Sequence, residues 1–498
     1  MIAAIKRNKN IFIVWFFIII YIAYFSYYTV LRYLTLYASY FDLGIMHQTV
    51  FNTYRAITNH DWSRVLELTN PFGPNQIKRL AIHNDIILAP LALFYLIYAS
   101  PATLLILQSL ILGLGAWFVF KIGQIILFKL KYRDFLACLF ALSYLFYPPL
   151  ERANMFNFHA VTFATTSLLA MFYFWLSKRY GWSFTFVILS LFSKEEVGLT
   201  TVFFGAYVLW TWWRSKSTYK QTEAKKEIFF GLATIAISLF WFFLSIYVII
   251  PYFHGANHFA LGYYGDFGDT PTKVIIGILA NPPTIVRYIF TKSTLNYLVS
   301  LLGPLGFISL LSPMRLLIAL PELAINLLSN EQKLRNIFYH YSSVITPFVF
   351  ISGIYGLNNL QLVSAAALRI LAGYLIIFIL FFAYLQGPLP LAQGQEIHPF
   401  KYPQTEAEDV AFWSKQLKNE DLKLSSTGQL APFFTSRRYF FTFSPYYYLA
   451  DYVVLRPTEI YNYPEKKQLI PVYEQLKVDK RYQLIFNKGN FEVYKKND

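Results

Sequence analysis

The sequence has a single cysteine, Cys138, among 498 residues. One thiol cannot form an intramolecular disulfide, nor can it supply the ligand set of a cysteine-based zinc site. Charged residues are also scarce, at 14% of the chain against about 25% in ordinary soluble domains. Hydrophobic residues reach 56% and aromatic residues 20%, which indicates an integral membrane protein with rings at the membrane interfaces.

Acidic residues are also fewer than basic residues, and the difference is confined almost entirely to the first 386 residues. The chain carries 43 lysines and arginines against 27 aspartates and glutamates. From Gly387 onward the two classes nearly balance, at 15 against 13, whereas the first 386 residues carry 28 against 14. Because the basic excess lies in the hydrophobic part and no nucleic-acid-binding motif occurs, we expect positively charged cytoplasmic loops and no nucleic acid partner.

The first apolar run extends from Ile11 to about Leu31 and follows a basic N-terminus with Lys6, Arg7 and Lys9. A cleaved signal peptide would have a shorter apolar core and a small-residue cleavage site. The run is long enough to cross a hydrocarbon core of about 30 Å. We therefore predict an uncleaved first transmembrane helix with the N-terminus in the cytoplasm.

The next apolar stretch, Ile86 to Tyr98, decides the topology. It is too short to span, and runs of this length are more often re-entrant or interfacial. Counting it as a span would put three basic loops outside, against the positive-inside rule. Those loops contain Lys129, Lys131 and Arg133, then Lys178 and Arg179, then Arg214, Lys216, Lys220, Lys225 and Lys226.

With that stretch on the surface, the sequence predicts a mainly α-helical polytopic protein of the cell membrane with eleven spans, its N-terminus cytoplasmic and its C-terminus extracytoplasmic. Two spans, 182–193 and 313–328, are short, and we expect them to be broken or tilted where they line a cavity. The eleven spans are expected near residues 11–31, 102–128, 135–149, 160–177, 182–193, 197–213, 228–250, 294–311, 313–328, 341–357 and 367–386.

The histidines are also distributed unequally between the two predicted sides of the membrane. All eight, together with most acidic residues of the membrane part, fall on the predicted outer side, so we expect the chemistry at the outer face. They are His47, His60, His83, His159, His254, His258, His340 and His398.

The first outer loop, residues 32–85, contains Asp42 at the start of a segment with helical apolar spacing. The segment is typical of an amphipathic helix that lies on the membrane. Asp42 fits two roles that do not exclude each other, an N-cap of that helix or a carboxylate acting at the membrane surface. Asp85, at the end of the loop, is likewise a helix cap or, with His83, part of a site for a metal or a phosphate-bearing substrate.

Further charges lie where spans reach the outer face. Lys194, Glu195 and Glu196 join two predicted spans with almost no loop, which indicates a functional site or a structural ion pair of Lys194 with one glutamate. His254 and His258 have the i, i+4 spacing of helical metal ligands, but nearby glycines predict a loop and weaken that signal. The remaining outer polar set comprises Glu151, Arg152, Asn154, Asn157, His159, Glu322, Asn326, Arg335, His340 and Tyr341.

At Gly387 the composition turns polar, which predicts a membrane domain over residues 1–386 and a soluble outer domain over 387–498. Alternating helices and strands indicate a small α/β domain, which we expect to cover the outer site or bind a partner. Its helices are expected over 405–417 and 469–476, and its strands over 422–425, 439–443, 451–455, 482–486 and 490–494.

Short motifs along nearly the whole chain together resemble the family of predicted microbial membrane proteins called domain of unknown function 2079. Asn84-Asp85 departs from the Phe-Ser that usually follows the histidine, and Ala160 stands where proline is common. The matching motifs are Phe41-Asp42-Leu-Gly44 with Gln48, His83 before a short apolar helix, Leu107-Gln108, Tyr147-Pro148-Pro149, Phe158-His159, Lys194-Glu195, Pro321-Glu322 with Asn326, His340-Tyr341 and Ala450-Asp451-Tyr-Val-Val.

That family is similar to the GT-C superfamily of membrane glycosyltransferases, so the resemblance implies a GT-C-like fold with an acidic residue in the first outer loop. Asp42 matches that carboxylate. The implied reaction is inverting transfer of a sugar from a polyprenyl-phosphate donor to a lipid, glycan or protein acceptor.

The resemblance also implies roles for individual residues. Asp42 would act as general base, and Lys194, Arg152 or His159 would neutralise the departing lipid phosphate. Metal dependence stays open, since Asp42, Asp85 and Glu195 have the oxygen ligands that Mg²⁺ or Mn²⁺ takes. The implied catalytic set is Asp42, His83, Asp85, Lys194 and Glu195, and the substrate-binding set is Gln48, Arg152, His159, Glu196, Glu322, Asn326, His340 and Tyr341.

Two other functions are open from the residues. A transporter or flippase would use the Lys-Glu-Glu triplet and the broken helices as its gate and coupling site. A non-enzymatic assembly protein would recruit a partner through the outer domain. The large polar outer loop and the lack of an inverted repeat in the sequence favour an enzyme, because a transporter site lies near the membrane midplane.

Overall fold

The structure is a computed structural model that describes residues 2–215, 221–256, 258–361, 364–401 and 404–497, with the side chains of residues 2–8 excepted. Lys216 and Lys220 of the predicted basic loop lie outside the described residues.

Four helices in the described ranges are long and apolar enough to cross a membrane. Such runs form helices in lipid because each backbone N–H and C=O finds its partner within the helix. The mainly helical membrane class is thereby confirmed, whereas the eleven predicted spans are not, since length and composition support only these four. The four helices are Lys9–Leu34, Pro101–Ile126, Gln221–His254 and Ala365–Gln386.

The other predicted spans correspond to shorter or interrupted helices. Between residues 292 and 327 the chain breaks into three helices joined by 3₁₀ turns. Pro304 and Pro313 lack the backbone donors that a continuous helix would use, and Gly306 takes a left-handed φ of 58°. The remaining helices of this part are Ile45–Asn59, Leu88–Leu91, Arg133–Leu145, Pro148–Met155, Thr162–Leu176, Tyr180–Leu191, Val197–Arg214, Pro271–Ala280, Pro282–Ile289, Lys292–Leu302, Pro313–Leu316, Leu320–Leu327 and Thr346–Asn359.

The first helix packs with Pro101–Ile126 and Arg133–Leu145 around a shared apolar core. Phe25, Val119 and Phe140 are buried in it. Apolar burial contributes roughly 1.5–3 kcal/mol per large side chain relative to water, although contacts with lipid replace part of that gain within a bilayer.

The stretch from Ile86 to Tyr98 forms the four-residue helix Leu88–Leu91 and a 3₁₀ turn that ends at Leu96. Both pieces are far too short to cross a bilayer, as the charge pattern predicts. The preceding loop contains a two-stranded antiparallel sheet, Glu67–Thr69 with Gln76–Lys78.

The C-terminal residues form the predicted small α/β arrangement. The first three strands of its mixed sheet are parallel and the last two form an antiparallel hairpin, whose turn contains Gly489 at a φ of 62°. In spatial order the strands are Phe440–Thr442, Leu424–Ser426, Tyr452–Leu455, Phe491–Lys496 and Tyr482–Lys488, and the helices are His398–Lys401, Ala407–Gln416, Pro457–Asn462 and Lys466–Val478.

This C-terminal sheet packs directly on the first loop. Tyr40 is buried among the apolar side chains of the sheet, with its ring 5.1 Å from that of Phe440. The backbone N–H of Tyr40 donates to the carbonyl of Gly428 at 2.9 Å, and Arg438 pairs with Glu67 at 2.9 Å. The loop and the sheet thus share one core, and the domain boundary at residue 387 stays a prediction.

Candidate functional site

Asp42 lies in a short helical turn, Tyr40–Gly44, immediately before the helix Ile45–Asn59. Gly44, not Asp42, occupies the N-cap position of that helix. The turn is fixed in place because the N–H of Tyr40 is bonded to Gly428 of the C-terminal sheet. The carboxylate of Asp42 is therefore available for side chains from other parts of the chain.

Three side chains contact that carboxylate. His159 Nε2 lies 3.1 Å from Asp42 Oδ1. Asn157 Nδ2 donates to Oδ2 at 3.2 Å, and Ser39 Oγ donates to the same oxygen at 3.4 Å. The side chain of Asp42 is 21% exposed while that of His159 is 7% exposed, so the carboxylate is the part of this group that an incoming molecule can reach.

The imidazole of His159 is held by stacking. Its ring lies 3.7 Å from the ring of His340, with 22° between the planes, and 5.5 Å from the ring of Phe156 on a nearly parallel plane. Burial and the charges of His159, Lys194 and His83 lower the pKa of His340 well below its usual value. His340 is therefore a neutral stacking partner at physiological pH.

A glutamine positions the turn that carries these contacts. Gln108, on the long helix Pro101–Ile126, donates to the carbonyl oxygens of Asn154 at 3.0 Å and Asn157 at 2.8 Å. Its Oε1 accepts the backbone N–H of His159 at 2.8 Å. Asn157 has a φ of 86°, a strained conformation for a non-glycine residue that surrounding contacts must maintain. The segment is thus fixed relative to the membrane helices.

A second group forms around Glu195, in the turn before the helix Val197–Arg214. His83 Nδ1 lies 2.8 Å and His258 Nε2 lies 3.0 Å from Glu195 Oε1. The backbone N–H of Asn84 donates to Oε2 at 2.9 Å. Burial raises the pKa of Glu195, but the interaction with His83 and the hydrogen bonds from both histidines hold it well below the usual range. Both oxygens of the carboxylate thus have hydrogen-bond partners within the protein.

Lys194 lies beside this group and pairs with Glu196, whose Oε1 is 2.5 Å from Nζ. Although burial alone lowers the pKa of Lys194, the charges of Glu196 and Glu195 raise it above its usual value. Glu322 is close enough for its charge to contribute and is itself buried. The side chain of Lys194 is 16% exposed, so the ammonium is a charged and partly accessible donor.

The carboxylate of Asp85 pairs with Arg79 and not with the residues around Glu195. Arg79 Nε and Nη2 donate to its two oxygens at 3.0 and 2.7 Å, and both side chains are buried. Burial raises the pKa of Asp85, partly offset by the charge of Arg79. This geometry is that of a buried ion pair rather than of a free metal ligand.

Three of the predicted substrate-binding residues form hydrogen bonds or ion pairs with other residues of the protein. Gln48 donates to the carbonyl of Arg438 at 3.0 Å. Arg152 contacts Glu396 at 3.1 Å and the carbonyl groups of the segment after the last long helix. Asn326 donates to the carbonyl of Tyr341 at 2.9 Å. Their part in substrate binding stays a prediction.

The structure therefore brings seven of the predicted residues into two groups. The first joins Asp42, His159 and His340, and the second joins His83, Glu195, Lys194 and Glu196. The sequence-based candidate set omitted His258 and Asn157, and it also omitted Arg79, which pairs with Asp85, and Gln108, which holds the turn of Asn157 and His159. The i, i+4 spacing from His254 drew attention to His258 in the sequence. Only the structure shows that His258 pairs with Glu195 and so belongs to the second group.

The family described as predicted membrane protein (DUF2079) matches residues 32–498. No curated protein gives a significant sequence match. Among solved structures, ArnT from Cupriavidus metallidurans bound to undecaprenyl phosphate is similar at a TM-score of 0.53 and 12% identity, over 96% of this chain and 97% of that chain. This likeness is one of fold, and it confirms the GT-C-like fold that the motifs imply.

Proposed function

The chain belongs to the family of predicted membrane proteins designated DUF2079, and we propose that it is an inverting membrane glycosyltransferase. The donor is a sugar linked to a polyprenyl phosphate, and the acceptor is a hydroxyl group of a lipid, glycan or protein. The proposal draws on the fold shared with ArnT, whose solved structure contains undecaprenyl phosphate, and on the residues around Asp42.

The observation that carries the proposal is the arrangement of Asp42, an accessible carboxylate held by the buried Asn157 and His159 and by the half-buried Ser39. Asn157 and Ser39 occupy one oxygen and His159 the other. Donors at this distance restrict the rotation of the carboxylate. An oriented carboxylate in the first loop is what a general base needs, because it must lie within hydrogen-bond reach of the acceptor hydroxyl.

In the proposed step, the acceptor oxygen forms a bond to the anomeric carbon from the face opposite the phosphate. The hydroxyl proton passes to Asp42, the bond from the anomeric carbon to the phosphate oxygen breaks, and its electron pair leaves with the lipid phosphate. His159 is a positioning residue, since it orients Asp42 from the buried side.

The departing phosphate gains negative charge and needs a cation. Lys194 is the proposed partner, because its ammonium is charged and partly accessible, whereas Arg152 is already bonded to Glu396 and backbone carbonyl groups. An ammonium that exchanges one carboxylate for a phosphate keeps a charge-assisted contact throughout. Before the donor binds, the ion pair with Glu196 holds the ammonium group of Lys194 in position.

The C-terminal residues are proposed to cover the acceptor side. Phe41, next to the base, lines a pocket together with Thr427, Gly428 and Tyr463. Burial raises the pKa of Tyr463 to about 12, with smaller contributions from the charges of Glu459, Glu465 and Asp42. We propose that this side faces the exterior of the cell, as the charge distribution of the loops predicts.

The test is Asp42→Asn in cells that depend on the protein, with glycolipids and surface glycans analysed by mass spectrometry. We expect the sugar-bearing product to fall by about 100-fold or more, the usual effect of losing a general base. Asp61→Asn is the matched control, because Asp61 lies in the same loop with a side chain that is 41% exposed.

Unchanged glycan profiles in both Asp42→Asn and Lys194→Ala would overturn the proposal. Solute uptake by proteoliposomes that Glu195→Gln abolishes would instead establish a transporter.

A further inference from the structure

We propose that His83, Glu195 and His258 form a binding site for a transition-metal dication of the zinc class. The inference does not depend on the glycosyltransferase reaction. It rests on three potential ligand atoms, one from each residue, that lie within 4.8 Å of one another.

The three ligands come from separate parts of the chain. His83 ends the first loop, Glu195 lies in the turn between the helices Tyr180–Leu191 and Val197–Arg214, and His258 lies in the segment after the helix Gln221–His254. In the described residues no other group of three histidine, cysteine, aspartate or glutamate side chains converges in this way. A bound ion would link these three segments at one point.

The spacing fits a small metal ion. Ligand atoms at about 2.0–2.1 Å from a tetrahedral zinc lie about 3.3 Å from one another. The two pairs that share Glu195 Oε1 are 2.8 and 3.0 Å apart. For these two pairs, shifts of a few tenths of an ångström reach the spacing of zinc ligands, and the two histidine nitrogens lie within 4.8 Å of each other.

The chemistry of the donors selects the metal. Two imidazoles and one carboxylate are a ligand set of zinc sites that keep a fourth position for water or substrate. Mg²⁺ and Ca²⁺ prefer oxygen ligands only. The sequence instead leaves open a Mg²⁺ or Mn²⁺ site made of Asp42, Asp85 and Glu195. In the structure those carboxylates do not form one group, because Asp85 is paired with Arg79 and Asp42 with His159.

The surroundings keep the ligands in place. The N–H of Asn84 holds the second oxygen of Glu195 at 2.9 Å, which leaves Oε1 for the ion. The ring of Phe259 stacks on His258 at 4.9 Å and meets His83 edge-on at 5.5 Å. The side chains of Glu195 and His258 are 4% and 6% exposed and that of His83 is 18% exposed, so access is from the side of His83.

Metal binding has a structural consequence for the loop after His258. The N–H of Ala260 donates to His258 Nδ1 at 3.0 Å, so in the neutral ring the proton is on Nε2. A metal at Nε2 displaces that proton to Nδ1, where it faces the N–H of Ala260. The amide of Ala260 must then turn away, so binding is expected to change the exchange rate of that amide.

The experiment uses the full-length protein in detergent, stripped with a chelator and dialysed against Zn²⁺ alone, with the metal measured by plasma mass spectrometry. We expect about one zinc per chain. Because losing even an outer partner of a ligand costs about 10–100-fold in affinity, His258→Ala and Glu195→Gln are expected to weaken binding by about 100-fold or more. His254→Ala is the matched control, since His254 is exposed and lies four residues before the ligand.

The wild-type protein alone decides the proposal if a variant fails to fold. Failure of the folded wild type to bind zinc, or equal binding of Mg²⁺ and Zn²⁺, would overturn it, as would unchanged binding in His258→Ala. Hydrogen exchange at Ala260 that responds to Zn²⁺ in the wild type and in His254→Ala supports it. None of these measurements requires a sugar substrate, so their outcome is independent of the transferase test.

Discussion

The carboxylate of Asp42 and the imidazole of His159 lie 3.1 Å apart, although 117 residues separate them in the sequence. The first belongs to the turn that the C-terminal sheet fixes, and the second belongs to the turn that Gln108 fixes on a membrane helix. The contact therefore connects the two parts of the molecule at the accessible carboxylate.

His159 is expected to act through Asp42. His159→Ala removes the donor that orients the carboxylate and should lower transfer by about 10–100-fold, whereas His159→Gln, which can still donate, should retain most activity. The measurement is the rate of product formation in isolated membranes, analysed by mass spectrometry.

A double-mutant cycle separates this role from a purely structural one. Since both residues act on the same proton transfer, Asp42→Asn combined with His159→Ala should be no slower than Asp42→Asn alone. Additive losses would contradict a shared role. His60→Ala, at an exposed histidine in the same loop as Asp42, is the control.

Lys194 is expected to bind the phosphate of the lipid donor. Lys194→Ala should weaken binding of a polyprenyl phosphate by about 10-fold or more, because it removes a charge-assisted contact. Glu196→Gln releases the ammonium from its ion pair and should leave binding unchanged or tighter. Binding is measured with the purified protein in detergent, and Lys273→Ala, at an exposed lysine, is the control.

Equal binding in Lys194→Ala and the wild type would assign the phosphate to another cation. Because Lys194→Ala leaves Glu196 without its partner in a buried site, a folded sample must be verified by its thermal transition before the affinities are compared.

Arg437 should be the most sensitive arginine of the C-terminal sheet. It is 2% exposed and donates to the carbonyl groups of Phe434, Leu417, Asn419 and Leu422 at 2.6 to 3.0 Å. Arg437→Ala leaves these buried acceptors without a donor and should lower the free energy of unfolding by about 3–5 kcal/mol.

Thermal unfolding of the purified protein checks this expectation. Arg481→Ala, at an arginine whose side chain is 54% exposed, should leave the melting temperature close to that of the wild type, because exposed ion pairs contribute little to stability. Equal destabilisation by the two substitutions would contradict the assigned role of Arg437.

Glu459 should make the C-terminal sheet less stable as the pH rises. Burial raises its pKa to about 7, although the carboxylate accepts the N–H of Gln429. The folded state therefore binds the proton more tightly than the unfolded state, and its stabilising effect, fully present below about pH 4.5, is lost as the pH rises to about 7. The full shift corresponds to at most about 3 kcal/mol.

Glu459→Gln removes this titration. The difference in melting temperature between the variant and the wild type should grow in favour of the variant from about pH 5 to about pH 8. A difference that does not depend on pH would show that Glu459 does not titrate in this range.

Some elements could be predicted from the sequence because their signals are local. The first membrane helix follows from one uninterrupted apolar run, and the hairpin at the C-terminus follows from two alternating segments around Gly489. The eleven spans were less predictable, since hydropathy does not show where Pro304, Pro313 and Gly306 divide an apolar stretch into short helices.

The sequence by itself determined that this is a helical membrane protein with a C-terminal α/β part, and its motifs indicated the family and Asp42. Only the tertiary structure decided that Asp42 contacts His159 and that Glu195 gathers His83 and His258. The reason is physical. Periodicity and hydropathy report the environment of each segment, whereas contacts between distant residues depend on how the helices pack and on which turns their ends bring together.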